Sequence, residues 1–102
     1  MTTITAEEVK ERLDKGEKLH LIDVREPFEN AEFNIGGELI PLGKIQSLQI
    51  EDLEDLKNEE IIFYCRSGKR SADAAHILDS VGFANTKNLV GGMLNWRDKF
   101  GG

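Results

Sequence analysis

The chain of 102 residues is poor in the residues that build disulfides and metal sites. It has one cysteine, which excludes an internal disulfide and a thiolate-rich metal site. Its two histidines, His20 and His76, lack a Cys-x-x-Cys or His-x-x-x-His partner, so we expect no bound metal. No apolar run approaches the ~20 residues that span a bilayer, and the polar start up to Glu8 has no signal-peptide core. These absences predict a cytoplasmic protein.

Basic residues are also outnumbered, with 13 lysines and arginines against 19 acidic residues and a net charge of −6. An average negative charge repels nucleic acids and anionic membranes, so neither is an expected partner. The one local exception is a basic cluster beside the cysteine, formed by Arg66, Lys69 and Arg70. In an acidic protein such a cluster indicates an anion-binding site, although a solvated surface loop has the same composition.

Hydrophobic spacing predicts several short helices. Thr5 and Glu8 have the pattern of a capping box, and the helix after them is expected to end near Gly16. Further helices are predicted over residues 27–33 and 50–56, and from Gly68 to a cap at Gly82. In a last helix after the Gly-Gly turn at 91–92, the side chains expected to face inward are Met93, Trp96 and Phe100.

Short apolar runs between these helices predict strands over residues 18–24, 38–42 and 61–64 and at Leu89 and Val90. Strands that alternate with helices are typical of an α/β fold with a mainly parallel sheet covered on both faces. A chain of this length suits one hydrophobic core. We therefore predict one α/β domain over residues 1–102.

Cys65 directly follows the strand predicted over residues 61–64, and the next helix is expected to begin near Arg70 or Ser71. Ligands of parallel sheets bind beyond the carboxyl ends of the strands. A short loop there can direct several backbone N–H groups at one point and, with the helix N-terminus, form an anion cradle. Such groups and nearby cations lower the pKa of a thiol from its usual ~8.5, which predicts a reactive thiolate. The alternative is that Cys65 is a small buried apolar residue.

Three segments in this order resemble the signatures of the rhodanese family of sulfurtransferases. The first is Asp23-Val24-Arg25-Glu26-Pro27, continued by Asn34-Ile35-Gly36-Gly37. The second, Cys65-Arg66-Ser67-Gly68-Lys69-Arg70-Ser71, is similar to the six-residue active-site loop of the family and the start of its next helix. The third is Asn88-Leu89-Val90-Gly91-Gly92-Met93 with Trp96. Many members have histidine and proline at the positions of Asn34 and Gly36, and the version found here resembles rhodanese domains of the activating enzymes that serve ubiquitin-like sulfur carriers.

The resemblance implies a rhodanese-like α/β fold with a mainly parallel central sheet of about five short strands and helices on both faces. It implies an enzyme, a sulfurtransferase of the thiosulfate sulfurtransferase kind, that needs no cofactor. Cys65 is then the catalytic nucleophile, which takes sulfane sulfur from thiosulfate, polysulfide or a persulfide donor and holds it as a persulfide. The implied acceptor is cyanide, a thiol or a protein, a ubiquitin-like sulfur carrier among them.

Residues around the nucleophile receive roles from the same resemblance and from their positions. Those expected to bind the anionic donor follow Cys65 in the loop: Arg66, Ser67, Gly68, Lys69 and Arg70. A positive φ at Gly68 would make the curl of the loop depend on glycine. Asp23 and Arg25 either brace the loop or form a structural ion pair, and Ser71 is expected to cap the helix.

Other functions fit parts of the same sequence. Phosphatases and arsenate reductases separate their cysteine and arginine by five residues, whereas four separate Cys65 from Arg70, a spacing that favours a sulfur atom over a phosphate. A non-catalytic or regulatory binding module is a further alternative, although the retained cysteine and basic loop favour catalysis. The Gly101-Gly102 end is similar to that of ubiquitin-like sulfur carriers, but the alternating α/β pattern does not match their fold, so these glycines are expected to end the last helix.

Overall fold

The structure is a computed structural model that describes residues 1–101, and the prediction for Gly102 lies outside the described residues. Its sheet has the five strands Thr2–Ile4 (β1), His20–Asp23 (β2), Glu38–Leu39 (β3), Glu60–Tyr64 (β4) and Asn85–Leu89 (β5). The strand order is β1-β5-β4-β2-β3, and every neighbouring pair is parallel. The prediction of a mainly parallel sheet of about five short strands is therefore confirmed.

Helices connect these strands and cover the sheet. They are Ala6–Asp14 (α1), Pro27–Glu32 (α2), Leu42–Gln46 (α3), Lys69–Ser80 (α4) and Gly92–Phe100 (α5), with a 3₁₀ helix at Glu51–Leu56. The predicted capping box is present, since Glu8 N donates to Thr5 Oγ1 at 3.1 Å and Thr5 N donates to Glu8 Oε1 at 3.1 Å. Within residues 1–101, none of the helices is both long and apolar enough to cross a membrane.

The apolar runs in β2 and β4 are nearly continuous because both faces of the sheet are buried. On one face, Ile61 and Phe63 pack in a cluster with Leu78 of α4. On the other face, Ile62 and Tyr64 pack in a cluster with Trp96 of α5. Successive side chains of a strand point to opposite faces, so each strand serves both clusters. This two-sided burial fixes the position of β4 in the sheet. It thereby fixes the position of Cys65, which directly follows β4.

Two predicted strands have wrong boundaries. The strand predicted over residues 38–42 ends at Leu39, because Leu42 already begins α3, a helix that the spacing did not indicate. The last strand begins at Asn85 and ends before Val90, whose side chain is 45% exposed. The polar sequence of β5 gave no strand signal before Leu89. Its buried polar residues Thr86 and Asn88 are hydrogen-bonded through their side chains.

Two further details differ at the ends of the chain. Thr2–Ile4 forms an edge strand beside β5, although three residues with two threonines carry no strand signal of their own. Met93 and Trp96 are buried as predicted, but Phe100 is 38% exposed and contacts the Trp96 ring edge-on, with 5.0 Å between the ring centroids. Gly101 follows α5 with a positive φ of 76°, as expected of a helix end.

An ion-pair cluster links α1 to the start of the two central strands. Glu60 accepts hydrogen bonds from Arg12 Nη2 at 2.7 Å and from Lys87 Nζ at 2.6 Å. Arg12 and then Lys87 overcome the effect of partial burial and lower the pKa of Glu60 to about 2. A carboxyl whose pKa is lower in the folded than in the unfolded chain stabilises the fold above the unfolded pKa, and that contribution disappears as the pH falls through the folded pKa.

We therefore expect Glu60→Gln to lower the free energy of unfolding by about 1–3 kcal/mol at pH 7. The difference from the wild-type protein should shrink between the ordinary glutamate pKa of ~4.3 and pH ~2. Urea denaturation at several pH values measures this. Glu59→Gln is the matched control, since Glu59 is the exposed preceding residue. A Glu60→Gln penalty that stays constant over this pH range would contradict the expectation.

Candidate active site

The loop after β4 places Cys65 at the carboxyl end of the sheet's central strand. Helix α4 starts at Lys69, slightly earlier than the predicted Arg70 or Ser71, and Gly68 is its N-cap residue. Gly68 has a φ of +102°, in the region that side chains rarely adopt. The loop turns back here, and the Gly68 N–H faces the Cys65 sulfur. The positive φ on which the predicted need for glycine depends is therefore observed.

Two backbone N–H groups and one hydroxyl surround the cysteine sulfur. Gly68 N lies 3.1 Å and Ser71 N lies 3.4 Å from Cys65 Sγ, and Ser71 Oγ lies 3.3 Å from it. Cys65 is also completely buried and belongs to the core cluster between the sheet and α4. Burial and an anion cradle, which the sequence left as alternatives for Cys65, are both present, because the loop provides its N–H groups inside the core.

Two opposing effects act on the ionisation of this thiol. Burial raises the pKa of Cys65, while the contacts with Ser71, Gly68 and Ser67 lower it and outweigh burial, so the pKa lies below its ordinary value. The backbone donors belong to the loop and the first turn of α4. The lowered pKa agrees with the predicted thiolate. Local hydrogen bonds contribute more to this lowering than the basic residues of the loop, which were expected to cause it.

The three basic residues of the loop differ in their surroundings. Arg66 and Lys69 are exposed at the rim. Arg70 forms a bidentate ion pair with Glu29 of α2, with Nη1–Oε1 and Nη2–Oε2 distances of 2.8 and 2.9 Å. Arg70 lowers the pKa of Glu29 to about 2. Arg70, one of the residues expected to bind the anionic sulfur donor, is therefore paired with a carboxylate. No sequence pattern indicated this pair.

Asp23 and Arg25 form a structural ion pair at the end of β2. Arg25 Nε and Nη2 donate to the two carboxylate oxygens of Asp23 at 2.9 and 2.8 Å, and both residues are buried. Arg25 Nη2 also donates to the carbonyl of Phe33 at 2.6 Å, and Asn30 Nδ2 donates to Asp23 at 2.9 Å. These bonds attach α2 and the following turn to the sheet. The ion pair therefore helps to hold α2, which carries Glu29, beside the Cys65 loop.

Ser71 does not cap α4, contrary to the prediction. It is the third residue of the helix, because Gly68 occupies the N-cap position. Its hydroxyl lies between Cys65 Sγ and Asn88 Oδ1, at 3.3 and 2.5 Å respectively. Asn88 Nδ2 in turn donates to the carbonyl of Gly68 at 3.0 Å. Ser71 thus lies against the sulfur, and Asn88 is a site residue that sequence reasoning used only as part of a motif.

The N-terminus of α5 holds the other side of the loop. Met93 N donates to the carbonyl of Cys65 and Leu94 N to that of Arg66, both at 2.9 Å. These bonds turn the two loop carbonyls outward, toward α5, while the later loop N–H groups face the sulfur. Gly92 permits the approach, since a Cβ built on it would lie 2.5 Å from Cys65 O. Gly91-Gly92 was predicted as a turn and as part of the third family signature, and nothing local indicated this contact.

A pocket of about 110 Å³ opens beside the loop, between α2 and α5. Its lining combines arginines, glutamates and apolar side chains: Arg25, Glu29, Glu32, Phe33, Arg66, Met93, Leu94 and Arg97. Arg97 lies over the Phe33 ring, with its guanidinium carbon 4.8 Å from the ring centroid. Arg66 and Arg97 are the exposed cationic side chains of this lining.

The fold and the site together define an α/β domain in which backbone amides hold a cysteine at the end of the central strand of a parallel five-stranded sheet. The sequence profile of the Rhodanese-like domain family matches residues 5–99. The chain therefore belongs to the rhodanese family.

Relatives and solved structures agree with this assignment. The chain is 42% identical to the putative sulfurtransferase YtwF of Bacillus subtilis, over 91% of its own length and 87% of that protein. It is 40% identical to the probable adenylyltransferase/sulfurtransferase MoeZ of Mycobacterium tuberculosis, over 93% of its length but only 24% of MoeZ. It thus corresponds to about a quarter of that larger protein. A rhodanese-like domain protein from Staphylococcus aureus has the same fold, with a TM-score of 0.82 and 31% identity over 94% of this chain and 91% of that one.

Proposed function

We propose that this protein is a sulfurtransferase that carries one sulfane sulfur atom as a persulfide on Cys65. The observation that carries the proposal is the pair of backbone N–H groups at Cys65 Sγ, with Gly68 N at 3.1 Å and Ser71 N at 3.4 Å. Preorganised donors of this kind stabilise a sulfur anion without a metal or an external base. The names of relatives such as YtwF support sulfur transfer as the reaction class.

The first half-reaction begins with attack by the Cys65 thiolate on the outer sulfur of thiosulfate. A sulfur–sulfur bond forms to Cys65, the bond inside thiosulfate breaks, and sulfite leaves with its electron pair. Polysulfide or a persulfide donor reacts in the same way and releases a shorter polysulfide or a thiolate. In the second half-reaction an acceptor thiolate or cyanide attacks the terminal sulfur and releases the Cys65 thiolate. Atoms and charge balance in both steps without a redox cofactor.

The loop residues supply binding in this scheme. Arg66 and Lys69, exposed at the rim, attract the anionic donor over a distance of about one Debye length. Arg70 binds the donor when Glu29 releases it. Ser67 and Gly68 act through their backbone, and Asp23 with Arg25 keeps α2 in place. For the acceptor we propose a thiol or a protein. The turn sequence at Asn34 and Gly36 resembles that of rhodanese domains in the activating enzymes that serve ubiquitin-like sulfur carriers.

The test separates the two half-reactions. The reduced protein is incubated with thiosulfate or inorganic polysulfide, freed of donor by gel filtration and then treated with cyanide. We expect about one thiocyanate per chain, and about one sulfite released during loading with thiosulfate. Failure of every donor to load the protein, together with hydrolysis of an aryl phosphate, would support the phosphatase alternative instead. Failure of both reactions would leave the binding module as the better interpretation.

Glu29 gives a prediction about donor binding. Glu29→Gln removes the carboxylate that engages Arg70, so Arg70 becomes available to an anionic donor. Since partly exposed ion pairs contribute ~0.2–1 kcal/mol, we expect the KM for thiosulfate to fall roughly two- to fivefold. Steady-state kinetics measure it, and Glu32→Gln, an exposed residue of the same helix, controls for the change of net charge. An equal fall of KM in both variants would show that general electrostatics, not release of Arg70, is responsible.

A further inference from the structure

A chain of hydrogen bonds continues inward from the cysteine sulfur. Cys65 Sγ lies 3.3 Å from Ser71 Oγ, Ser71 Oγ lies 2.5 Å from Asn88 Oδ1, and Asn88 Nδ2 lies 3.0 Å from Gly68 O. Cys65 and Ser71 are completely buried and Asn88 is 8% exposed. The path therefore returns to the loop that holds the sulfur.

The orientation of the Asn88 amide determines to which acceptor the Ser71 hydroxyl donates its proton. Its NH₂ group must face the Gly68 carbonyl, because the flipped amide would set two carbonyl oxygens against each other. Asn88 Oδ1 then faces Ser71 and can only accept. Ser71 has one hydroxyl proton, and its hydrogen bond to Asn88 Oδ1 uses that proton. While that bond persists, Ser71 Oγ can accept a hydrogen bond from the Cys65 S–H group but cannot donate to a sulfur anion.

We infer that Asn88 is a positioning residue that controls the ionisation of Cys65 by competing with the sulfur for the hydroxyl proton of Ser71. In the thiol state, the S–H donates to Ser71 and the hydroxyl donates to Asn88. In the thiolate state, the hydroxyl rotates to the sulfur and Asn88 Oδ1 loses its donor. Asn88 therefore favours the neutral thiol, and it opposes the backbone amides of the cradle.

The inference rests on the proposed role of Cys65 as nucleophile, but its test needs no sulfur donor. The thiol pKa can be measured on the reduced protein alone, so a failure of sulfur transfer and a failure of this inference give different results. The charged groups around the loop are the same in every variant of Asn88. They come from the loop, from α2 and from the end of β2: Arg66, Lys69, Arg70, Glu29, Asp23 and Arg25. A difference between variants thus reports on the hydrogen-bond chain.

Asn88→Leu removes the competing oxygen and keeps a side chain of the same branched shape. The Gly68 carbonyl keeps a partner, since Ala72 N also donates to it at 3.2 Å. We expect the pKa of Cys65 in this variant to fall by roughly one unit, measured by thiolate absorbance and by the pH profile of alkylation. Asn85→Leu, at the exposed start of the same strand, should leave the pKa unchanged. An unchanged or higher pKa in Asn88→Leu would overturn the inference.

Ser71→Ala provides the decisive comparison, because the effect of Asn88 must pass through the serine hydroxyl. We expect Asn88→Leu to shift the pKa in the wild-type background and not in the Ser71→Ala background. An equal shift in both backgrounds would show that Asn88 acts on Cys65 by another route.

A measurement on the unmodified protein covers the case in which these variants fail to fold. The side-chain amide signals of Asn88 in ¹H–¹⁵N spectra should move with the titration of Cys65, because Oδ1 loses its donor when the thiolate forms. The Asn85 side-chain signals should not move. Asn88 signals that stay constant through the Cys65 titration would overturn the inference.

Discussion

Replacement of Cys65 by alanine is expected to abolish sulfur transfer, with turnover reduced by more than about a thousandfold. The chain contains no second cysteine that could take over the sulfur. Its two histidines, His20 and His76, are exposed and lie outside the cradle. No other cysteine or histidine of the chain can therefore take over the role proposed for Cys65.

The change should leave the fold intact. Loss of a small buried side chain costs about 1–2 kcal/mol, less than the stability of a typical domain. Cys65→Ser serves as the matched control, since its oxygen keeps a polar group near the Gly68 and Ser71 N–H groups. We expect both variants to be folded by circular dichroism and inactive in the thiocyanate assay. Measurable turnover in folded Cys65→Ala would contradict a covalent role for Cys65.

Gly92→Ala is expected to have the second-largest effect, although Gly92 lies 27 positions from the nucleophile (92 minus 65). A Cβ at this position would lie 2.5 Å from Cys65 O and 2.6 Å from Arg66 O, and φ is +55°. Both carbonyls accept hydrogen bonds from the first turn of α5. The methyl group must therefore push the loop away from α5 and break the bonds that orient its carbonyls.

We expect this displacement to reduce turnover by about a hundredfold or more, since a shift of ~1 Å in a reactive group has that effect. The free energy of unfolding should fall by about 2–4 kcal/mol, from left-handed strain and the two weakened hydrogen bonds. Gly82→Ala is the matched control, because Gly82 also has a positive φ, of +100°, but no atom within 4 Å of the added Cβ. It should cost about 1–2 kcal/mol and leave turnover unchanged. Equal activity of the two variants would contradict the role of α5 in shaping the loop.

Features encoded by neighbouring residues were predictable from the sequence. The capping box of Thr5 and Glu8 depends on residues three positions apart. The strand before Cys65 is a run of apolar residues, and Gly68 lies where the loop must curl. The family signatures then supplied the chemistry that propensity alone does not contain. Together these observations located the sheet, Cys65 and its loop.

Features that depend on distant contacts were not predictable from the sequence. Glu29 and Arg70 are 41 positions apart, and Ser71 and Asn88 are 17 apart. The bonds from Met93 and Leu94 to the loop depend on how α5 docks, which no local pattern specifies. The edge strand Thr2–Ile4 exists only because β5 offers it a partner. In each case tertiary packing decides the role of a residue whose local sequence is compatible with several.

Intact-mass analysis of the reduced protein after incubation with thiosulfate or inorganic polysulfide tests the persulfide on Cys65 most directly. We expect the mass to increase by that of one sulfur atom, to return to its starting value after addition of cyanide or dithiothreitol, and to stay constant in Cys65→Ala. A wild-type mass that no donor changes, or an added sulfur that Cys65→Ala also acquires, would contradict sulfur transfer through Cys65.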